Sequence, residues 1–207
     1  IISNFFRFLP KYIHFGKVHF MQLLAVFFGF ALQVLETFNK FSVGFFSMRA
    51  FSDRGGVCCY VRDLDSGRVW STTYQPLRGA PDEYQVVYTS EVARFRRRDG
   101  LVETLTELVL SPEDNVEVRR VTLTNLGEAP LRLELTSYAE IALNPPATDL
   151  AHPAFGNLFV ETEFVAEAGA LLCTRRPRAA DDRQAWLAHV TAVEGRAELI
   201  RDKSQFE

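Results

Sequence analysis

The sequence predicts an all-β fold, an antiparallel sandwich. Between residues 57 and 192 short β-rich runs alternate with turn signals. Those runs keep the two-residue rhythm of a half-buried sheet, and no stretch among them shows a convincing helical period. A length of 207 residues with 47% hydrophobic content suffices for one domain with a proper core and is marginal for two.

The elements follow in order. Residues 57–62 and 68–73 read as strands flanking Asp63-Leu64-Asp65-Ser66-Gly67, a composition that favours a tight loop. Residues 84–89 form a short apolar and aromatic strand. Residues 92–98 and 101–110 are joined by Asp99-Gly100, the preferred chemistry of a type I′ hairpin, and that register places Arg96 opposite Glu103. Over 116–125 the alternation changes phase across Arg119-Arg120. Val116 and Val118 share one face and Val121 and Leu123 the other, which predicts a β-bulge. After a turn at 125–130, Leu131, Leu133, Leu135, Ala139 and Ile141 point one way, and Arg132, Glu134, Thr136, Tyr138 and Glu140 the other. Residues 158–165, 170–175 and 185–192 add three strands. The longest irregular stretch, 144–156, is rich in Pro; loops of that length are often functional, though many only cross between sheets.

The first 50 residues have a different character. Most of the 18 phenylalanines lie there, and Lys outnumbers Arg, whereas Lys203 is the only Lys thereafter. Arg7, Lys11, Lys17, Lys40 and Arg49 oppose Glu36 alone, a net of +4, so the remainder carries −7 of the overall −3. Such a break separates segments of different origin or environment and divides the chain into 1–50 and 56–207. Residues 19–35 carry no charge and approach the roughly 18 apolar residues that span a bilayer. Two readings of 1–50 stay open: a membrane or interfacial helix behind a basic flank, or non-native sequence in a shifted reading frame. A signal peptide fits poorly, because no small-residue cleavage site follows. On this division residues 56–207 are expected to fold without the first segment.

Several function classes fall away on composition. A mildly acidic chain lacks the concentrated basic face of a nucleic-acid binder. Adjacent Cys58 and Cys59 with Cys173 offer neither a metal-ligand spacing nor an even disulfide framework, and read as idle thiols in a reducing compartment. No solenoid period is visible. Glu103, Glu107, Glu134, Glu140, Glu161 and Glu163 alternate along strands, as a solvated sheet face would. Arg94, Arg96, Arg97 and Arg98 form a basic strand end, suited to a phosphate or an acidic partner, or to cross-strand pairing with acidic neighbours. His152 and Asp149 share the Pro-rich loop, with no nucleophile or third ligand recognisable nearby. Trp70, Tyr74, Trp186 and Tyr138 are candidates for stacking on sugar rings. Aromatics in sandwiches more often belong to the core, and only Tyr138 sits on the polar face of its strand.

Five strings then carry a resemblance: YVRDLDSGRVWS (60–71), SPEDNVEVRRVTLTN (111–125), LELTSYAEIAL (133–143), DLAHPAFGNLFVETEF (149–164) and LLCTRRPR (171–178). In this order they resemble the N-terminal β-supersandwich domain of glycoside hydrolase family 94, in its cyclic β-1,2-glucan synthase branch; cellobiose and chitobiose phosphorylases are more distant. The resemblance runs from about residue 57 to the C-terminus, and residues 1–50 have no counterpart in it. It implies an antiparallel β-supersandwich, incomplete at its C-terminal edge. It also implies an inverting phosphorolysis whose carboxylic acid lies in an (α/α) barrel following the sandwich. None of that barrel's residues maps onto this chain, so no catalytic residue, metal or cofactor is expected and the chain alone is expected to be inactive. The implied partners are a β-glucan or oligosaccharide, held weakly, and the catalytic barrel. A cytoplasmic location, free or at the inner membrane, goes with this. His152, Phe155 and Tyr138 are the nominated carbohydrate or interdomain contacts. The alternative is a freestanding structural or adhesion sandwich tethered to a membrane by residues 1–50.

Overall fold

The computed structural model describes residues 3–9, 17–28, 57–141, 143, 158–177, 184–194 and 198–200. The strands are β1 (Ser3–Leu9), β2 (Lys17–Phe28), β3 (Val57–Asp63), β4 (Val69–Ser71), β5 (Glu83–Tyr88), β6 (Ala93–Asp99) and β7 (Val102–Leu110). They continue with β8 (Val116–Asn125), β9 (Leu133–Glu140), β10 (Val160–Val165), β11 (Ala170–Arg175), β12 (Ala185–Glu194) and β13 (Glu198–Ile200). A 3-10 turn, Ala166–Ala168, joins β10 to β11. The strands build a five-stranded sheet, β13-β1-β9-β3-β4, and an eight-stranded sheet, β10-β11-β12-β2-β8-β7-β6-β5.

The two-residue rhythm explains the core. Val57, Cys59 and Val61 of β3 are buried, as are Leu133, Leu135 and Ala139 of β9. They fall into two clusters: Cys59, Val61, Leu133 and Leu135 pack with Val121 and Leu123 of β8, and Val57 and Ala139 pack with Cys173 and Leu187 of β11 and β12. Val61, Val121 and Leu187 are fully enclosed, each contributing about 2 kcal/mol by leaving water. The first loop forms as its composition demands: Asp63 accepts the Asp65 N–H at 3.0 Å and the Ser66 hydroxyl at 2.5 Å, and Gly67 supplies φ 73°.

Four expectations are corrected. First, residues 19–28 are not helical. They lie in β2, which pairs with β12 from Ala185↔Phe28 to Glu194↔His19 and with β8 from Lys17↔Thr124 to Ala25↔Val116. An uncharged apolar run satisfies its backbone either within a helix or between two strand neighbours, and hydrophobicity alone does not choose. β1 likewise pairs with β9 and β13. No helix among the described residues is long and apolar enough to cross a membrane.

Second, the β6–β7 hairpin pairs Asp99 with Val102, so its loop is Gly100-Leu101, one residue later than expected. Gly100 has φ 62° and is the only residue of the loop with positive φ, which is the type II′ arrangement rather than type I′. Asp99 stays in the strand because its side chain is buried against Arg97 and Arg68. Arg98, not Arg96, is then opposite Glu103; Arg96 still reaches that carboxylate diagonally at 2.6 Å.

Third, β8 carries no bulge. Its register with β7 runs unbroken from Val102↔Asn125 to Leu110↔Glu117. Glu117 and Arg119 occupy the core-facing positions in line with Val121 and Leu123, leaving Val116 and Val118 on the other face. The two charges neutralise each other at 2.5 Å, and Arg119 also donates to the Val57 carbonyl. Two opposite charges that meet inside are tolerated where neither would be alone, so the backbone need not shift phase.

Fourth, Glu134 is not part of a solvated face but is buried, accepting from Thr136 Oγ1 at 3.4 Å. Elsewhere the charged outer face forms as expected. Arg94 pairs with Glu107 at 3.0 Å, Arg98 with Glu83 at 2.9 Å and Arg176 with Glu161 at 2.6 Å, while Arg120 also binds Glu107. Arg97 departs from this basic strand end by turning inward.

Candidate functional site

Two polar arrangements stand out, one sealed between the sheets and one open on the outer face of the five-stranded sheet. The sealed one joins the sheets. Ser137 on β9 and His189 on β12 are fully buried, and Ser137 Oγ lies 3.2 Å from His189 Nε2. The Cys59 thiol beside Ser137 is pushed up to about 12, by burial first, with the Arg119 charge opposing. His189 is held down to about 3, by burial and then by repulsion from Arg119.

A hydroxyl within reach of an imidazole has the outline of a nucleophile and its base. Here both groups are shut away from substrate, and an imidazole so hard to protonate is a poor base at neutral pH. The pair is a tie between the sheets. Sequence reasoning missed it, although the signal was present: Ser137 shares the phase of Leu135 and Ala139, and His189 that of Ala185 and Leu187.

The open arrangement contains Tyr138. Strand alternation places Cys58, Tyr60 and Arg62 of β3 beside Glu134, Thr136 and Tyr138 of β9 on the face turned away from the core. The register is direct: Cys58↔Tyr138, Tyr60↔Thr136 and Arg62↔Glu134. Tyr60 and Tyr138 are half-buried. The Tyr60 hydroxyl is pushed up to about 12, chiefly by burial, with Cys58 and Tyr138 adding to the shift. The strip thus combines two half-buried phenols, a threonine hydroxyl and the exposed Arg62 guanidinium, while the Glu134 carboxylate on the same face is buried. Rings that stack and planar groups that hydrogen-bond paired hydroxyls are the means by which proteins hold sugars.

The other nominated contacts, His152 and Phe155, lie outside the described residues, as do most of the 144–156 loop and Asp149. Trp70 is core, buried with Arg68 5.9 Å above its ring, and Trp186 is half-buried; Tyr74 is exposed. None of the three cysteines is in a disulfide, and Cys59 and Cys173 are buried. Among the described residues no group of His, Cys, Asp and Glu could hold a metal ion.

The described residues thus form a two-sheet antiparallel sandwich with a sealed core and an outer strip of polar and aromatic side chains. Residues 45–207 match the family described as Glycosyl hydrolase 94, supersandwich domain, and the chain belongs to that family. Among characterised relatives it is 30% identical over 138 residues to a cyclic beta-(1,2)-glucan synthase of Rhizobium meliloti (strain 1021), covering 67% of this chain and 5% of that protein. It is 28% identical over 103 residues to a 3-O-beta-D-glucopyranosyl-beta-D-glucuronide phosphorylase of Paenibacillus borealis, covering 50% of this chain and 13% of that protein. It is 31% identical over 100 residues to an N,N'-diacetylchitobiose phosphorylase of Vibrio furnissii, covering 47% and 12% respectively. The chain therefore spans only a small part of the relatives it matches.

Proposed function

We propose that this chain is a non-catalytic accessory sandwich of a cyclic β-1,2-glucan synthase or β-glucan phosphorylase, helping to hold glucan beside a catalytic (α/α) barrel. The observation that carries this reading is the family match over residues 45–207, joined by relatives whose names specify β-glucan synthesis or phosphorolysis of glycosides. The strip of Tyr60, Tyr138, Thr136 and Arg62 is the surface best suited to the sugar. His152 and Phe155 are proposed as the contact to the barrel. Residues 56–207 carry the motifs of the module, and the 1–50 segment adds β1 and β2 to its sheets. A location in the cytoplasm, free or at the inner membrane face, accords with three cysteines of which none is in a disulfide.

The test is titration of a β-1,2-linked glucooligosaccharide into the chain, followed by chemical shifts of the tyrosine rings. A half-buried strip on one sheet face encloses little of a sugar, so the expected dissociation constant is about 1 mM or weaker. Tyr138→Ala should weaken binding about fivefold, the loss of one stacking contact of about 1 kcal/mol. No turnover of β-1,2-glucan or cellobiose with phosphate should accompany it. Turnover abolished by one Asp or Glu substitution in residues 57–207 would refute the non-catalytic role. Binding indifferent to Tyr138→Ala would remove the sugar from this strip.

A further inference from the structure

Exposed arginines of this sandwich hold carboxylates. Arg94, Arg96, Arg98, Arg120, Arg132 and Arg176 each bind a Glu or an Asp. Arg62 differs. It is exposed, and its guanidinium makes no ion pair or hydrogen bond with another described residue. Glu134 lies directly opposite it in the register of β3 with β9. That carboxylate does not answer the charge, because it is buried at 6% exposure and accepts from Thr136 Oγ1 at 3.4 Å. On the other side Arg62 is opposite Val69 of β4, an apolar residue 48% exposed. The acidic side chains of the adjoining loop are occupied as well, Asp63 by the Ser66 hydroxyl and the Asp65 N–H, and Asp65 by Arg132.

We propose that the sugar held on this strip is anionic, and that Arg62 receives its oxyanion, a carboxylate or a phosphate ester carried on the ring. This rests on the reading of the strip as a sugar surface and names the class of sugar it takes. A guanidinium presents a planar fork of donors that fits two oxygens of an oxyanion at once. A neutral glucan offers that fork only single hydroxyls, which water replaces at little loss. Charge complementarity therefore selects the ligand.

The spacing suits one sugar ring and its substituent. Tyr60 and Arg62 are two residues apart on one face of β3, about 7 Å along the strand. Thr136 lies opposite Tyr60, and Tyr138 is the next residue of that face on β9. A ring seated against the phenols thus brings a group on its edge to the guanidinium. The register of β3 with β9 is unbroken from Val57↔Ala139 to Asp63↔Leu133, so the sheet and not a loop fixes this spacing. The charge is open to solvent, so its advantage is modest and screened by salt.

The test titrates three probes into the whole 207-residue chain, followed by tyrosine ring shifts. They are a β-1,2-linked disaccharide of glucose, the same disaccharide with a uronate in place of one glucose, and the same disaccharide bearing a 6-phosphate. At low salt at least one charged probe should bind about fivefold tighter than the neutral one, and the probe with the larger gain identifies the oxyanion. The gain should shrink towards nothing at about 1 M salt. Arg62→Gln should bring the charged-to-neutral ratio to about one, and Arg62→Lys should keep only part of it, since an ammonium is a point charge. Tyr138→Ala should weaken all three probes alike and leave the ratio unchanged. Charged probes that bind alone, and are sensitive to both positions, also support the proposal. Charged probes no tighter than the neutral one, or a gain that survives Arg62→Gln, overturn it and leave the sugar strip standing. A gain with binding indifferent to Tyr138→Ala is ion exchange at Arg62 and overturns it too. Failure of all three probes to bind removes the strip itself.

Discussion

Replacing Arg97 by Ala is the most demanding test of how the interior is held. Arg97 and Asp99 alternate with exposed residues on β6, so strand geometry forces both side chains inward, where their relative exposures are 1% and 0%. The guanidinium makes two bonds to Asp99, at 2.5 and 2.9 Å. It also donates to the carbonyls of Thr73 and Gly79, each at 3.2 Å, and so pins the connection between β4 and β5. Truncation leaves a buried carboxylate with only the half-exposed Arg68, 3.2 Å away, and removes two partners from the connection. Breaking a buried pair from one side costs about 3–5 kcal/mol, a large part of the roughly 5–15 kcal/mol that holds a domain together. For a chain of this size that corresponds to a fall of about 10 °C in melting temperature. Urea unfolding of Arg97→Ala, Asp99→Ala and the double variant gives the coupling, expected at about 2 kcal/mol or more because each single change strands the other group. The exposed pair Arg96–Glu103 is the internal control, expected to couple far more weakly because solvent screens it. A loss below about 1 kcal/mol for Arg97→Ala, or additive single changes, would show that water reaches the pair and that the reasoning from burial fails.

Two further outcomes follow from the same geometry. His189 titrates at about 3 in the folded chain against 6.5 ordinarily, so below about pH 6.5 the unfolded state gains a proton that the folded state refuses. Its contribution is complete above that pH and falls as pH drops towards about 3, by as much as about 5 kcal/mol. At the other limb Cys59 is raised from 9.0 to about 12, so stability falls as pH rises above about 9, where only the unfolded thiol ionises. Urea midpoints across pH should show this plateau, and His189→Gln should flatten the acid limb relative to the parent; identical acid limbs would contradict the assignment. Deleting residues 1–50 removes β2 from between β8 and β12. Since each is antiparallel to β2, those two strands run parallel to each other and could close the gap only by moving about 5 Å into a parallel pairing. The shortened chain should unfold at distinctly lower urea; an equally stable, cooperative 56–207 would show that the module closes without the first segment.

The sequence by itself determined the class of fold, most of the strands and the family. Alternation at 131–141 and the Asp-Ser-Gly loop at 63–67 are local signals, decided by side-chain period and turn chemistry within a few residues. What it misjudged shares one cause. The bulge at Arg119-Arg120, the hairpin register at Asp99 and the solvated Glu134 all assume that charge faces water, a fair rule for any residue considered alone. Burial of charge depends on a partner the sequence does not place. Glu117 neutralises Arg119 two residues away on the same strand, but Arg68 reaches Asp99 from 31 residues away, and Ser137 meets His189 across 52. The strip around Tyr138 was half legible: the polar phase of its strand was visible, but its neighbours Cys58 and Tyr60 arrive only through the pairing of β3 with β9. The uncharged run at 19–28 was ambiguous for the same reason, since helix and buried strand both satisfy its backbone and only two neighbouring strands decided between them. Local chemistry chose the strands. The tertiary structure chose which of their polar side chains would be enclosed, because a charge is stable there only where a partner, near in the chain or distant, supplies its complement.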